Sequence, residues 1–214
     1  MVYEYYGGEE KLGRFAEMIR YVDKVDSADL TTDEIAHPRG WVLLGFIMDP
    51  RTGLGRFRNF TISNYDLMKK LAAACASNNI EEIMAIPDVK ERETVYFEQE
   101  KLFRDMVQRV TRVDGNVLVA DLRGVEPIYA GNRFLIYSIF PEQNISVWIV
   151  DGRNKQNCAI TVGYSVVNRS ATVDVGSMLL KYGGGGHQQV GTCQVPYNDA
   201  NRIIAEILDM CKAG

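Results

Sequence analysis

The sequence predicts an α/β protein in which a mostly helical N-terminal part is joined by a long helix to a C-terminal part built on a mixed sheet. Two observations predict this class. Apolar residues recur at helical spacing through the first half, whereas β-branched, aromatic-rich runs separated by turn residues occupy much of the second half. With 214 residues and 46% apolar content, the chain can form one large or two small hydrophobic cores.

The N-terminal half is dominated by helical patterns. Thr31 and Glu34 have the spacing of a capping box, which predicts the start of a helix. The basic segment 49–58 is rich in turn residues and predicts an exposed loop. The helices are predicted, in order, over 12–22, from Thr31 onward, over 41–48, over 61–78 and over the charged stretch 88–111.

The second half is predicted to form a sheet covered by helices. Strands are predicted over 117–122, 134–140, 145–150, 158–167 and 190–195, and helices over 173–180 and 201–211. Three regions follow from this pattern: a mostly helical part over 1–87, a linker helix over 88–111 and a C-terminal domain over 112–214.

Several classes of protein are excluded by composition. No apolar run is long enough to span a bilayer, and the first residues lack the basic region and apolar stretch of a secretory signal. We therefore expect a cytoplasmic protein without a membrane partner. The four cysteines form no C-x-x-C pair, so neither a zinc knuckle nor a disulfide scaffold is indicated.

Charge is unevenly distributed along the chain. Residues up to 108 carry 14 basic and 19 acidic side chains, whereas the remainder carries 10 basic and 9 acidic ones, so the second half is the better candidate for binding anions. A protein that grips long duplexes is normally far more basic than a net charge of −4 allows. The expected partner is a short single-stranded nucleic acid or a nucleotide.

Four consecutive glycines, Gly183–Gly186, lead directly into His187. Glycine allows a backbone to approach an anion closely, and histidine adds a donor of tunable charge. Two interpretations remain open, a phosphate or nucleotide loop and a turn that terminates the preceding helix. A Walker loop is excluded, because no Lys-Ser or Lys-Thr pair follows the glycines.

Two arginines are candidate partners of this tract. Arg169 lies in Asn168-Arg169-Ser170, which follows a predicted strand, and Arg133 precedes another predicted strand. A guanidinium group can hold two phosphate oxygens at once, although each arginine could instead form a surface ion pair. The loop arginines between residues 51 and 58, with nearby phenylalanines, suggest either a contact for single-stranded nucleic acid or a solvated loop.

Three carboxylates recur at intervals of three residues, at Asp23, Asp26 and Asp29. Such charges near a helix C-terminus repel one another and oppose the helix dipole, which a Mg²⁺ or Mn²⁺ ion would offset. Equally, they fit solvated turn or N-cap residues.

The C-terminal motifs resemble the DHH-associated domain of the DHH phosphoesterase superfamily. Its pattern is a serine- and arginine-bearing turn followed by G-G-G-H and a later glycine, which Asn168–Ser170, the glycine-histidine tract and Gly191 match. Segments 22–29 and 48–56 are similar to the exopolyphosphatase-related, RecJ-like branch of that superfamily. The resemblance covers nearly the whole chain.

The resemblance implies a two-domain hydrolase that uses two Mn²⁺ or Mg²⁺ ions to cleave phosphodiester or phosphoanhydride bonds. Its expected substrates are short oligoribonucleotides, linear dinucleotides or related phosphorylated compounds. Asp26, or alternatively Asp23, corresponds to the last metal ligand of the DHH domain. The residues expected to bind the substrate are Asn168, Arg169, Ser170, Gly184, Gly185, Gly186, His187 and Arg133.

The early motifs of the family have no counterpart in this sequence. These are an Asp-x-Asp, a second Asp and the Asp-His-His triplet, whereas the histidines here, His37 and His187, follow neither Asp nor His. We therefore expect the C-terminal part of such an enzyme, in which a helical remnant of the DHH domain precedes the substrate-binding domain. By itself this chain is expected to be inactive.

Two other functions remain open at this stage. The same associated domain ends alanyl-tRNA synthetases, which favours a non-catalytic module that binds nucleic acid or a nucleotide. An exopolyphosphatase that hydrolyses phosphoanhydride bonds is the other alternative. Assembly into a homodimer also remains open.

Overall fold

The structure, a computed structural model, describes residues 2–213. These residues form two compact units, each with its own contacts. Unit 1 comprises residues 2–101 and 130–133, and unit 2 comprises 102–129 and 134–213. The mixed α/β class expected from the sequence is confirmed, because a helical unit is followed by one with a six-stranded sheet.

Unit 1 is helical throughout its regular structure. Its helices are α1 (Val2–Tyr5), α2 (Gly8–Leu12), α3 (Ala16–Asp26), α4 (Thr32–Ala36), α5 (Gly40–Met48), α6 (Asn64–Ala74), α7 (Ile80–Met84) and the first part of α8 (Pro87–Val110). The predicted capping box is present at the start of α4, where the Thr31 side chain accepts a hydrogen bond from the Glu34 amide and the Glu34 carboxylate accepts one from the Thr31 amide.

A buried arginine joins three segments of unit 1. The side chain of Arg92, on α8, is 1% exposed. It donates to the Ile62 carbonyl over 2.7 Å, to the Asn64 side chain over 3.1 Å and to the Asp88 carbonyl over 3.0 Å. It also lies 4.2 Å from the centre of the Phe60 ring. Hydrogen bonds and a stacked ring thus compensate for removing the guanidinium from water.

Unit 2 contains a mixed sheet with the strand order β1-β2-β3-β4-β6-β5. Only the β2–β3 pair is parallel among the strands that the structure describes. The elements after α8 are β1 (Thr111–Asp114), β2 (Val117–Asp121), α9 (Leu135–Ile139), β3 (Ile145–Asp151), β4 (Asn157–Tyr164), α10 (Val175–Leu180), β5 (Gly185–His187), β6 (Val190–Pro196) and α11 (Ala200–Lys212).

The core of unit 2 forms where helices cover the sheet. Strands β4 and β6 alternate buried and more exposed residues, as expected for strands with one face on the core. Helix α11 contributes its apolar stripe to this core through Ile203, Ile204, Ile207 and Leu208. Within residues 2–213, no helix has both the length and the apolar character needed to cross a membrane.

The prediction of a strand over 134–140 is wrong. This segment contains helix α9, in which Leu135, Ile136 and Tyr137 are all buried. A short continuous apolar run does not distinguish a buried strand from a buried helix, so tertiary packing decides. The Tyr137 hydroxyl lies 2.6 Å from the Ser146 Oγ and fixes the helix against β3. Arg133 therefore precedes a helix, not a strand.

Candidate functional site

The glycine tract begins as the C-terminal cap of α10. Gly183 has a φ of +71°, in the left-handed region that favours glycine. The amide of Gly184 donates to the Leu179 carbonyl over 3.1 Å, and the amide of Gly183 donates to the Leu180 carbonyl over the same distance. These bonds satisfy carbonyl groups at the end of the helix. At Gly183, the helix-terminating interpretation is therefore confirmed.

The following glycines serve the close approach of two strands. Gly185–His187 form β5, which pairs with β6 at the edge of the sheet. A Cβ atom at Gly184 would lie 2.5 Å from the Cβ of Cys193, and one at Gly186 would clash with the Val190 carbonyl oxygen. Gly184 and Gly186 are thus required by packing, whatever they bind.

A two-residue turn, Gln188–Gln189, connects β5 to β6. The Gln188 carbonyl accepts a hydrogen bond from the Val175 amide over 2.9 Å, and the Gln189 carbonyl accepts one from the Tyr164 amide over 2.9 Å. The turn is therefore held from both sides by backbone donors outside the hairpin. Next to it, His187 is exposed to solvent.

The second predicted segment, Asn168–Ser170, is a turn fixed by side-chain hydrogen bonds. The Asn168 side chain accepts from the Ser170 amide and donates to the Glu142 carbonyl over 2.6 Å. The buried Asn144 donates to the Ser170 hydroxyl over 3.1 Å. This framework leaves Arg169 exposed, with its Nε donating to the Val166 carbonyl.

Both segments lie at the same end of the sheet. Tyr164 is the last residue of β4, and its amide binds the Gln189 carbonyl of the hairpin turn. The chain then continues from Tyr164 into the turn that carries Arg169, and the Tyr164 hydroxyl donates to the Val173 carbonyl over 2.6 Å. The turn that carries Arg169 and the hairpin turn next to His187 thus adjoin one strand end, and guanidinium and imidazole groups are suitable donors for a phosphate group.

Arg133 belongs to unit 1, together with the rest of residues 130–133. These residues contact the segment that follows α5. Its Nη1 forms an ion pair with the Asp49 carboxylate over 2.6 Å. Nearby, the Gly131 amide donates to the Thr52 carbonyl over 2.9 Å. The ion-pair interpretation of Arg133 therefore applies within unit 1, and its contact with a substrate stays a prediction.

Asp49 is the residue that sequence reasoning missed. The prediction of an exposed loop over 49–58 is wrong at this position, since the Asp49 side chain is only 15% exposed. Burial alone would raise the pKa of Asp49, but hydrogen bonds from Arg51 and the charges of Arg133 and Arg51 outweigh burial and lower this pKa. The available signal was an aspartate immediately before Pro50, where its side chain can accept the Arg51 amide.

The predicted metal ligands, Asp23 and Asp26, both lie on α3 and are exposed. Within residues 2–213, no three His, Cys, Asp or Glu side chains are grouped closely enough to hold a metal ion. The described residues therefore do not by themselves fit the pair of ions that the DHH family implies, and the metal-binding role of these aspartates stays a prediction.

The chain is similar to solved structures, whereas no protein-family model and no curated protein matches it. The pGpG-specific phosphodiesterase PggH from Vibrio cholerae shares 45% sequence identity with a TM-score of 0.88, and the match covers 99% of this chain and 71% of that one. An exopolyphosphatase-related protein from Bacteroides fragilis shares 13% identity over 80% of this chain and 51% of its own, with a TM-score of 0.44 that supports no conclusion. At 45% identity over nearly its whole length, the chain belongs to the phosphodiesterase family of PggH, within the DHH phosphoesterase superfamily.

Proposed function

We propose that this chain binds linear dinucleotides of the pGpG type through unit 2, as the substrate-binding part of a metal-dependent phosphodiesterase. The observation that carries the proposal is a pair of exposed side chains: Arg169, on the turn that follows Tyr164, and His187, next to the hairpin turn that binds the Tyr164 amide. The relative that shares 45% identity is named as pGpG-specific, which supports a dinucleotide as the substrate.

The rigidity of both turns supports this role. Asn168–Ser170 is fixed by the Asn144 and Glu142 contacts, and His187 belongs to a strand that ends in an anchored turn. Little backbone freedom is then lost when a ligand binds, which favours affinity. A guanidinium on such a turn can donate two charge-assisted hydrogen bonds to one phosphate group.

Hydrolysis needs chemistry beyond this pair. Two Mn²⁺ or Mg²⁺ ions would polarise a phosphoryl oxygen and provide hydroxide near neutral pH. We propose that most of the side chains that coordinate these ions are not among residues 2–213. No step of hydrolysis is therefore assigned to these residues. A non-catalytic module that binds nucleotides is the second candidate.

Calorimetric titration with pGpG tests the binding proposal. Arg169→Ala and His187→Ala are each expected to weaken pGpG binding about tenfold, as loss of a charge-assisted hydrogen bond does. Arg153→Ala is the matched control, because Arg153 is an exposed arginine that precedes the opposite end of β4. Binding that is absent in the unmodified chain, or equally weakened by the control, would sink the proposal.

Incubation with Mn²⁺ separates the two candidates. Unchanged pGpG after prolonged incubation, despite measurable binding, supports a module or a part that needs further metal ligands. Release of mononucleotide would show that the chain itself is catalytic. Release of phosphate from inorganic polyphosphate, without any action on pGpG, would instead establish the exopolyphosphatase alternative.

A further inference from the structure

The turn Gln188–Gln189 departs from the usual two-residue hairpin loop. Two-residue hairpin loops normally adopt turns with positive φ, for which asparagine and glycine are preferred. Among the described residues, neither glutamine has a positive φ. The turn keeps its shape through the bonds from Val175 and Tyr164 to its two carbonyls. The backbone geometry of the turn therefore permits glutamine at these positions but does not require it.

The two side chains are also unused in folding. Gln188 and Gln189 are both exposed, and within residues 2–213 neither amide side chain has a hydrogen-bond partner. The half-buried side chain of Asn168, in the neighbouring turn, by contrast donates to the Glu142 carbonyl. Two amides that have no partner in the fold, on an anchored turn next to His187, are available to contact a ligand.

We infer that Gln188 and Gln189 contact the guanine base of a bound dinucleotide and favour guanine over adenine. This inference rests on the proposed function, because it places the phosphate beside His187, which immediately precedes the turn. In a dinucleotide, the base lies one sugar away from the phosphate. The bonds to both carbonyls fix the backbone of the turn, so the two glutamine side chains extend from defined Cα positions.

The chemistry of the bases explains the preference. Each glutamine amide offers one acceptor oxygen and two N–H donors. Guanine presents an acceptor, O6, beside two donor groups, N1–H and the N2 amino group, whereas the same edge of adenine has one donor group and one acceptor. Two amides can satisfy all three positions of guanine, but on adenine one amide is sufficient.

Titration of the chain and its variants with pGpG and with pApA tests this inference. Gln188→Ala and Gln189→Ala are each expected to weaken pGpG binding about tenfold while changing pApA binding less than about threefold, as loss of a base-edge contact does. Gln156→Ala is the matched control, since Gln156 is an exposed glutamine at the opposite end of β4. Circular dichroism and thermal melting establish that each variant is folded.

A second ligand sharpens the result. The dinucleotide of hypoxanthine lacks the N2 amino group, so at least one variant is expected to lose less affinity for it than for pGpG. Equal losses for pGpG and pApA, or no loss for either, overturn the inference while leaving the proposed function intact. If the unmodified chain binds neither dinucleotide, the proposed function fails and the inference fails with it.

Discussion

At the scale of single residues, the glycines of the tract differ in what they contribute. Gly186 has a φ of +158°, and a Cβ there would clash with the Val190 carbonyl oxygen and the Gly191 Cα. A Cβ at Gly185 would meet only Leu180, at an ordinary 3.8 Å. We therefore expect Gly186→Ala to lower the free energy of unfolding of unit 2 by about 2 kcal/mol, a typical cost of overpacking.

Gly185→Ala is the control, and its effect should stay within about 0.5 kcal/mol. Urea denaturation in a Trp41→Phe background, where Trp148 fluorescence reports on unit 2, gives both values. Equal stability of the two variants would show that β5 and β6 are not packed as closely as described. The measurement therefore tests packing separately from binding.

Asp49 predicts a pH dependence for unit 1. The pKa of Asp49 is lower in the folded protein than in the unfolded chain, since the stabilising bonds from Arg51 and Arg133 outweigh its burial. The ionised group therefore stabilises the fold above its ordinary pKa of about 3.9, and this stability is lost as pH falls through the lower, folded pKa. We expect Asp49→Asn to destabilise unit 1 at pH 7 and to differ less from the unmodified protein near pH 3.

Trp41 fluorescence in a Trp148→Phe background follows the unfolding of unit 1 in urea at each pH. Glu98→Gln, which removes an exposed carboxylate from α8, should show no comparable pH-dependent difference. If Asp49→Asn lowered the free energy of unfolding equally at both pH values, the ion pairs of Asp49 with the arginines would not stabilise the fold.

At the scale of elements, Arg92 shows how one helix is tied to its surroundings in unit 1. Truncation by Arg92→Ala leaves the Ile62 carbonyl and the Asn64 side chain without their donor and removes a side chain that is buried in the fold. We expect a loss of about 3 kcal/mol in the free energy of unfolding, in the range for breaking a buried charged network. The same Trp41 assay measures it.

Arg92→Lys retains the charge but cannot bridge both acceptors, so its loss should be smaller than that of the alanine variant yet clearly measurable. The exposed change Glu98→Ala on the same helix is expected to cost less than about 0.5 kcal/mol. If Arg92→Ala behaved like Glu98→Ala, the buried hydrogen bonds of Arg92 would contribute nothing to stability.

The sequence was most informative for elements with a local signal. The Thr31–Glu34 capping box and the apolar run 41–48 both specify helices without help from distant residues, and both were predicted. The segment 134–140 has no such signal, because its continuous apolar run suits a buried helix as well as a strand. The hydrogen bond between Tyr137 and Ser146 is a tertiary contact that spacing alone does not reveal.

The candidate site was predictable to a similar extent. Arg169 and His187 lie in motifs that are visible in the sequence, so both were predicted as binding residues, whereas their position at the end of β4 comes from the structure. Asp49 was missed because its burial depends on Arg133, which lies far away in sequence. The anchoring of Gln188–Gln189 by Tyr164 and Val175 is likewise a product of the fold.

At the scale of the whole molecule, the family assignment and the two units suggest separate tasks. The chain shares 45% identity with a pGpG-specific phosphodiesterase over 99% of its length. Unit 2 carries the anchored turns around Arg169 and His187, and unit 1 carries the Asp49 ion pairs and the basic segment that follows. The central claim is that a dinucleotide binds to unit 2 at these turns.

The most direct test is nuclear magnetic resonance mapping of pGpG binding on isotope-labelled protein. We predict that the largest amide shift changes fall within 168–170 and 184–189, and that Arg169→Ala reduces them at equal ligand concentration. Changes concentrated instead around 49–60 in unit 1, or none at millimolar pGpG, would contradict the account.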